Sequence, residues 1–274
     1  MTNSVNIFVL NWNGENIIGD CLESLLNAKY KNKNIIVIDN GSSDDSIKYI
    51  HQKFPSIQII PIKENLKYSK GNNFGFKKVE KSDFSIFLNN DTIVDPNFIS
   101  NIIDPFNHDK DIAQVAPKIL YDNSKLIWYA GGRVKLWLGL IYHIGIRKKD
   151  QSKFHLKREI DYASGCCFAV RSKIFESIGM FDESFEMYCE DVDLSLMIKK
   201  SGKKVIYAPK SIIWHKVSYS IGGENSLKKI LLKNKAKFHL ALKHLNPLFI
   251  SISFIFITIL LCFEIIFTII KKNK

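Results

Sequence analysis

Through its first ninety residues the chain alternates short uninterrupted apolar runs with stretches whose apolar positions recur every three or four residues. Residues 5–10, 34–38, 57–62 and 84–91 are of the first kind, rich in Ile, Val and Phe, and predict strands covered on both faces. Residues 15–28 carry Ile17, Ile18, Cys21, Leu22, Leu25 and Leu26 on one face and predict a helix, and 45–53 predict another that stops before Pro55. Strand and helix alternating at this pitch imply βαβ units and a mostly parallel sheet, so the expected fold class is α/β.

Beyond residue 91 the pattern is less regular. Pro96 is placed to open a helix at its favoured first position. Residues 112–117 predict a strand and Gly131-Gly132 a turn. Residues 134–146 mix Trp, Leu, Tyr and Gly with little charge, which predicts a mobile loop or a membrane-facing patch. Strand character returns over 161–171, with Gly165 letting a neighbour approach the backbone closely. A helix is expected over 172–178, ending at Gly179, and a short strand over 205–209. Between them Glu190, Asp191 and Asp193 open a helix whose apolar positions are Leu194, Met197 and Ile198.

The carboxyl end differs in kind. Residues 226–245 place apolar side chains at 227, 231, 238, 242 and 245 with lysines on the other faces, which predicts a basic amphipathic helix suited to an anionic membrane surface. Residues 248–270 then carry one charge, Glu264, and are long enough to cross a bilayer, for which about 20 apolar residues suffice. A surface-lying or re-entrant arrangement stays open, and basic residues on both sides leave the orientation open as well. Three regions are therefore expected: 1–220 as the catalytic domain, 221–246 as a basic helix, and 247–274 as a membrane segment with a basic tail.

Charge and cysteines sharpen this picture. Most of the net charge of +12 lies in residues 226–274, which hold nine lysines against Glu264. A basic tail suits nucleic acid or anionic lipid. The apolar run beside it decides for lipid, and no nucleic-acid partner is expected. The five cysteines form no Cys-x-x-Cys pair and are odd in number. Reduced thiols and a cytoplasmic catalytic domain follow. The amino terminus runs straight into a strand, so no signal peptide is expected.

The candidate chemistry sits where strands end. Asn11-Trp12-Asn13-Gly14, Asp39-Asn40-Gly41-Ser42 and Asn89-Asn90-Asp91 each follow a predicted strand. A parallel sheet would gather all three at one edge, where open α/β sheets bind ligands. Asn and Asp oxygens there suit a hard divalent cation bridging a diphosphate, though the same residues also dominate turns. Asp39 either caps the next helix or accepts a hydrogen bond from a base or ribose. Gly71, Gly75, Asn72 and Asn73 suggest a loop feeding a helix amino terminus, a natural anion site, but match neither the dinucleotide fingerprint nor the P-loop. Acids in a first turn complement the helix dipole, yet Glu190, Asp191 and Asp193 exceed that need and offer a general base. His215, after an apolar run, is either a structural histidine or an extra metal ligand.

Taken in order over residues 4–220, these motifs resemble the family 2 glycosyltransferases, in particular their bacterial rhamnosyltransferase-like group. The resemblance implies the GT-A fold, a Rossmann-like, mostly parallel sheet flanked by helices. It implies inverting transfer from a nucleotide-diphospho-sugar, UDP- or dTDP-linked, with dTDP-rhamnose among the candidates. By position, Asn11-Trp12-Asn13-Gly14 resembles the first nucleotide-contacting loop, with Asn11 and Asn13 its expected contacts, and Asp39 the acid that recognises a pyrimidine, with Asn40 and Ser42 nearby. Asn65, Gly71 and Asn73 match the donor-side loop. Asn89-Asn90-Asp91 occupies the Asp-x-Asp metal motif with Asn89 in place of its first acid, which leaves Asp91 as the main ligand for Mn²⁺ or Mg²⁺. Glu190-Asp191 matches the motif supplying the base, Asp191 being the base itself, and His215 a histidine that completes the metal site in some members. A lipid-linked or cell-surface glycan acceptor, attachment through the carboxyl-terminal segment and residence on the cytoplasmic face of a bacterial inner membrane are expected. The competing expectation is a nucleotide-sugar-binding membrane protein that has lost catalysis.

Overall fold

The computed structural model describes residues 3–217 and 227–272. β1 (Val5–Asn11), β2 (Lys33–Asn40) and β3 (Gln58–Ile62) are joined by α1 (Ile18–Leu26) and α2 (Ser46–Lys53). α3 (Lys67–Lys78) leads to β4 (Phe84–Asn89), β5 (Thr92–Val94) and α4 (Phe98–His108). β6 (Ile112–Tyr121) and β7 (Ile127–Tyr129) precede a hairpin of β8 (Gly132–Lys135) and β9 (Leu140–His143). β10 (Arg158–Glu159), β11 (Cys167–Arg171), α5 (Ser172–Ser177), α6 (Glu190–Lys200) and β12 (Lys204–His215) complete the sheet and its cover. α7 (Leu227–His244) and α8 (Pro247–Lys272) follow.

The main sheet runs β10-β12-β6-β11-β4-β1-β2-β3, with β5 pairing β12 and β7 pairing β6. β1 lies parallel between β2 and β4, and β2 is parallel to β3. The chain is thus α/β with a mostly parallel amino-terminal half, and β11 and β10 enter antiparallel. The uninterrupted apolar runs are the reason: Ile7, Phe8, Val9, Ile36, Val37, Ile86 and Phe87 are all buried, which only a strand covered on both faces allows. Aromatic packing on one face gathers Phe8, Phe87, Phe168, Phe175 and Phe181, with ring centroids 4.9–6.0 Å apart.

Several expectations need correction. Gly71, Asn72, Asn73 and Gly75 lie inside α3, not in a loop before a helix. Their helix propensity is low, but tertiary packing overrides it. A Cβ at Gly71 would stand 2.9 Å from Leu10 Cδ1, and one at Gly75 2.2 Å from Ile38 Cδ1, so the glycines let α3 lie flat on β1 and β2. Pro96 lies ahead of α4, which begins at Phe98. Gly131 takes a φ of +111°, while Gly132 already belongs to β8. Residues 134–146 are mostly the β8–β9 hairpin. The expected 161–171 strand shortens to β11, because 161–166 turn toward α6, where Gly165 donates to Asp191. The expected 205–209 strand continues to His215, with a register shift between Ala208 and Ile212 around Pro209, which has no N–H to give.

All five cysteines are free thiols, and only Cys262 is exposed. The start of the basic helix expected at Ser226, the preceding residues 221–225, and residues 273–274 of the expected tail lie outside the described residues.

Candidate active site

The register of the parallel strands decides which polar groups meet. Asn11 pairs Asp39 and Leu10 pairs Asn89, so the three polar strand ends share one sheet edge. Asn11 bridges them: its Nδ2 donates to Asp39 Oδ1 at 3.0 Å, and its Oδ1 accepts from Asn90 Nδ2 at 2.8 Å. Gly14 is required beside this bridge, since a Cβ there would fall 2.2 Å from Asn11 Oδ1. Asp39, only 1% exposed, also accepts from Ser42 Oγ at 2.7 Å and Ser42 N at 3.1 Å. Ser42 Oγ in turn accepts from Asn13 N at 2.9 Å. Asn40 ties β2 to the next loop, donating to Asn65 Oδ1 and the Lys67 carbonyl while accepting from Leu66 N.

These loops wall a cleft of about 460 Å³. Asn13, Asn40, Asn65, Asn89, Asn90 and Asp91 line it. Asp39, Asn11 and Ser42 stand behind the lining as the frame that sets its shape. Gly71 and Asn73 are not in it. Asn73 is buried and spends its amide on Phe181 O, Phe181 N and Glu183 Oε1, which pins the 181–183 segment against α3. The cleft also contains Trp12 of the first loop, and Lys67, Tyr68 and Met187, which were not among the expected site residues. Two signals were available. Trp12 is a large aromatic in a polar loop and is 45% exposed, and Lys67-Tyr68 follow Asn65 with only Leu66 between.

His215 reaches Asp91, at the wall of the cleft, from 124 residues away along the chain. β5 and β12 pair antiparallel with His215 opposite Thr92, which sets its ring beside Asp91. Nε2 of His215 lies 3.2 Å from Asp91 Oδ1, with both side chains nearly buried. Neither Asp91 Oδ1 nor His215 Nδ1 has a hydrogen-bond partner. Asp91 Oδ1 faces Nε2 of His215, while the unpartnered ring atom, Nδ1, points elsewhere; an unsatisfied buried carboxylate oxygen beside an imidazole nitrogen fits a divalent cation held by few protein groups. Among the described residues no group of three His, Cys, Asp or Glu side chains converges, so such an ion would need oxygens from elsewhere.

The acid pair lies at the other side of Tyr68. Tyr188 and Cys189 both adopt left-handed backbone, at φ +68° and +64°, immediately before α6. Such non-glycine residues cost of order 1–3 kcal/mol each and persist where surrounding structure enforces them. Asp191 accepts from Gly165 N at 2.7 Å and from Val192 N at 2.8 Å, while Tyr68 donates to Gly165 O at 2.7 Å. Glu190 Oε2 is buried without a partner. Burial, then the neighbouring Asp191 charge, pushes the Glu190 carboxyl up to about 8. Burial also raises Asp191 against the backbone donors that lower it. Asp193, the third acid, points away: it is fully buried against His244 Nε2 at 2.6 Å and Lys243 Nζ at 2.9 Å of α7.

The family model described as Glycosyl transferase family 2 matches residues 6–179. The poly-beta-1,6-N-acetyl-D-glucosamine synthase of Staphylococcus aureus is 27% identical over 216 residues, 77% of this chain and 50% of that protein. The N-acetylglucosaminyl-diphospho-decaprenol L-rhamnosyltransferase of Mycobacterium tuberculosis is 24% identical over 221 residues, 73% of this chain and 72% of that one. The chain thus spans about half the length of the first of these relatives. Among solved structures, GalNAc-T7 with UDP, GalNAc and Mn²⁺ superposes with a TM-score of 0.68 at 15% identity, over 87% of this chain and 47% of that one, which shows a shared fold.

Proposed function

The chain belongs to glycosyl transferase family 2, and on that premise we propose that it inverts a sugar from a UDP- or dTDP-linked donor onto a lipid-linked or cell-surface glycan acceptor. The observation that carries this is the convergence of three polar strand ends in one cleft, where the unsatisfied Asp91 Oδ1 lies 3.2 Å from His215 Nε2, beside a buried acid pair. dTDP-rhamnose is among the candidate donors, supported by the named activity of the mycobacterial relative.

In this reading Asn11, Asp39, Asn40 and Ser42 hold the loops in the shape that accepts the nucleotide, and Asn13 and Asn65 offer polar edges to it. Trp12 offers a face for stacking, and the Lys67 ammonium meets the diphosphate. Asp91 and His215, with Asn89 and Asn90 beside them, would hold Mn²⁺ or Mg²⁺ together with donor oxygens, and that ion, when bound, supplies charge neutralisation on the leaving diphosphate. Asp191 takes the proton from the attacking acceptor hydroxyl. Its two backbone donors fix its orientation, and its raised pKa makes it a stronger base than a solvated carboxylate. Burial and the Asp191 charge push the Glu190 carboxyl up, which leaves the ionised role in the pair to Asp191. One displacement inverts the anomeric centre, so no enzyme nucleophile is needed.

Residues 1–220 act as the transferase domain, with 221–246 and 247–274 attaching it to the cytoplasmic face of a bacterial inner membrane. Support comes from the apolar segment Pro247–Ile266, whose mean hydropathy is 2.6 and which is only 11% buried. A second reading, a donor-binding protein without turnover, is favoured by Asn89 standing in place of a carboxylate. Calorimetry with UDP, dTDP and GDP, with and without Mn²⁺, followed by turnover assays, separates the two. Metal-dependent binding with turnover supports transfer; binding alone supports the second reading. No binding by folded protein overturns both.

A further inference from the structure

α8 reverses the usual arrangement of a helix on a soluble domain. The face it turns to the protein carries Ser253, Ile257 and Thr268, all buried, and Ser253 Oγ donates to the Leu136 carbonyl at 2.7 Å; Glu264, on the same side, is exposed and accepts from Asn234 of α7. The opposite face carries Leu248, Ile255, Ile259, Phe263, Ile266 and Ile270 within an arc of about 80° at 3.6 residues per turn. Leu248 is 70% exposed and Phe263 66%. A continuous exposed apolar stripe of this length calls for an apolar environment along that face.

Two contacts decide how that environment is met. Gly139, in the β8–β9 hairpin, packs against Ile257, so close that a Cβ would lie 2.4 Å from Ile257 Cγ1. Ile257 is ten residues into α8, about 15 Å along its axis. Were α8 a perpendicular span starting at Pro247, this hairpin, with exposed Lys135, would sit at the middle of a hydrocarbon core about 30 Å thick. The second contact is α7, which runs back along α8. Phe238 packs edge-on to Phe254 at 4.7 Å, and Asn234 donates to Glu264 at 3.1 Å. A perpendicular span would drag the lysines flanking Asn234 on α7, Lys233, Lys235 and Lys237, through the same core.

Resting on the membrane attachment read above, we propose that α8 does not cross the bilayer but lies in the plane of an anionic lipid surface. The stripe from Leu248 to Ile270 enters the acyl boundary. Leu231 and Leu242 of α7, both exposed, extend it, and Trp137, 45% exposed beside Phe256, sits at headgroup level. The charge fits the occupant: α7 carries six lysines and no acid, and Glu264 is the one acid of α8.

The test uses the full chain with an epitope after Lys274, expressed in a bacterial host, with sealed inside-out membrane vesicles treated with protease before and after detergent. An in-plane helix leaves epitope and catalytic domain on one side, and both are digested before detergent. Survival of the epitope until detergent is added, while the domain is cleaved, overturns the in-plane placement and leaves membrane attachment standing. Recovery of the chain in the soluble fraction overturns the attachment itself, and a soluble dimer occluding Phe263 makes a second copy the occupant instead. As a second measurement, Ile259→Asp with Phe263→Asp lowers partitioning onto phosphatidylglycerol vesicles by about tenfold or more with UDP binding kept, as loss of buried apolar area predicts. Unchanged partitioning refutes the stripe as the lipid-facing surface.

Discussion

Glu190 and Asp191 are neighbouring carboxyls that cannot both ionise cheaply in a buried place. A carboxyl whose folded pKa lies above its unfolded value holds its proton more tightly in the folded state. For Glu190 that stabilisation is complete below about 4.5 and is lost as pH rises toward about 8. Glu190→Gln removes this loss, so the variant's melting temperature relative to the parent should climb between pH 5.5 and 8.5. A difference independent of pH would refute the burial argument. Asp191→Asn should lower transfer by about a hundredfold to ten-thousandfold, the usual worth of a positioned base, with donor binding within about twofold. Equal loss of binding and transfer would strip Asp191 of the role of base. At this scale the residue types were readable in the sequence, but their division of labour was not. Asp39 and Asp91 both end strands in polar runs; hydrogen bonding makes one the hidden frame of the loops and leaves the other facing the cleft with an unsatisfied oxygen.

Elements were readable wherever the apolar pattern was decisive. The four amino-terminal strands follow from runs of Ile, Val and Phe, and α1 from a stripe that places Ile18, Cys21, Leu22 and Leu25 in the core. α3 was not readable as a helix from its start, because Lys-Tyr-Ser-Lys-Gly-Asn-Asn-Phe-Gly is poor in helix formers and the glycines serve contact with the sheet. Gly75→Ala should therefore destabilise the fold by about 1–3 kcal/mol, the range for overpacking a filled core, although alanine is the better helix former. Ile38→Val in the same chain removes the atom that the new methyl meets and should restore part of the loss in denaturant melts. Stabilisation by Gly75→Ala alone would mean that the sheet yields at this point. α6 is tied to α7 in the same non-local way. Asp193→Ala leaves Lys243 and His244 facing a gap, and removing one partner of a buried ionic cluster costs about 3–5 kcal/mol. Asp193→Asn, which keeps two hydrogen-bonding atoms, should cost less in the same melts.

For the whole molecule, the carboxyl-terminal helices and the candidate site share one body: α7 is clamped to the helix that carries Asp191, and α8 lies against the β8–β9 hairpin. Removing residues 247–274 should keep nucleotide binding while transfer to a lipid-linked acceptor falls; full activity on that acceptor would show that the segment does not serve it. By itself the sequence determined the α/β class, the polar strand ends, the acid pair, the basic helix and the apolar segment, because each is written in local periodicity or residue type. Only the tertiary structure decided that His215 meets Asp91, that Asn73 and Gly71 serve packing, and that an apolar face of α8 points outward while Ser253 and Thr268 are buried. Those outcomes depend on strand register and on contacts between residues far apart in the chain, which no local pattern records.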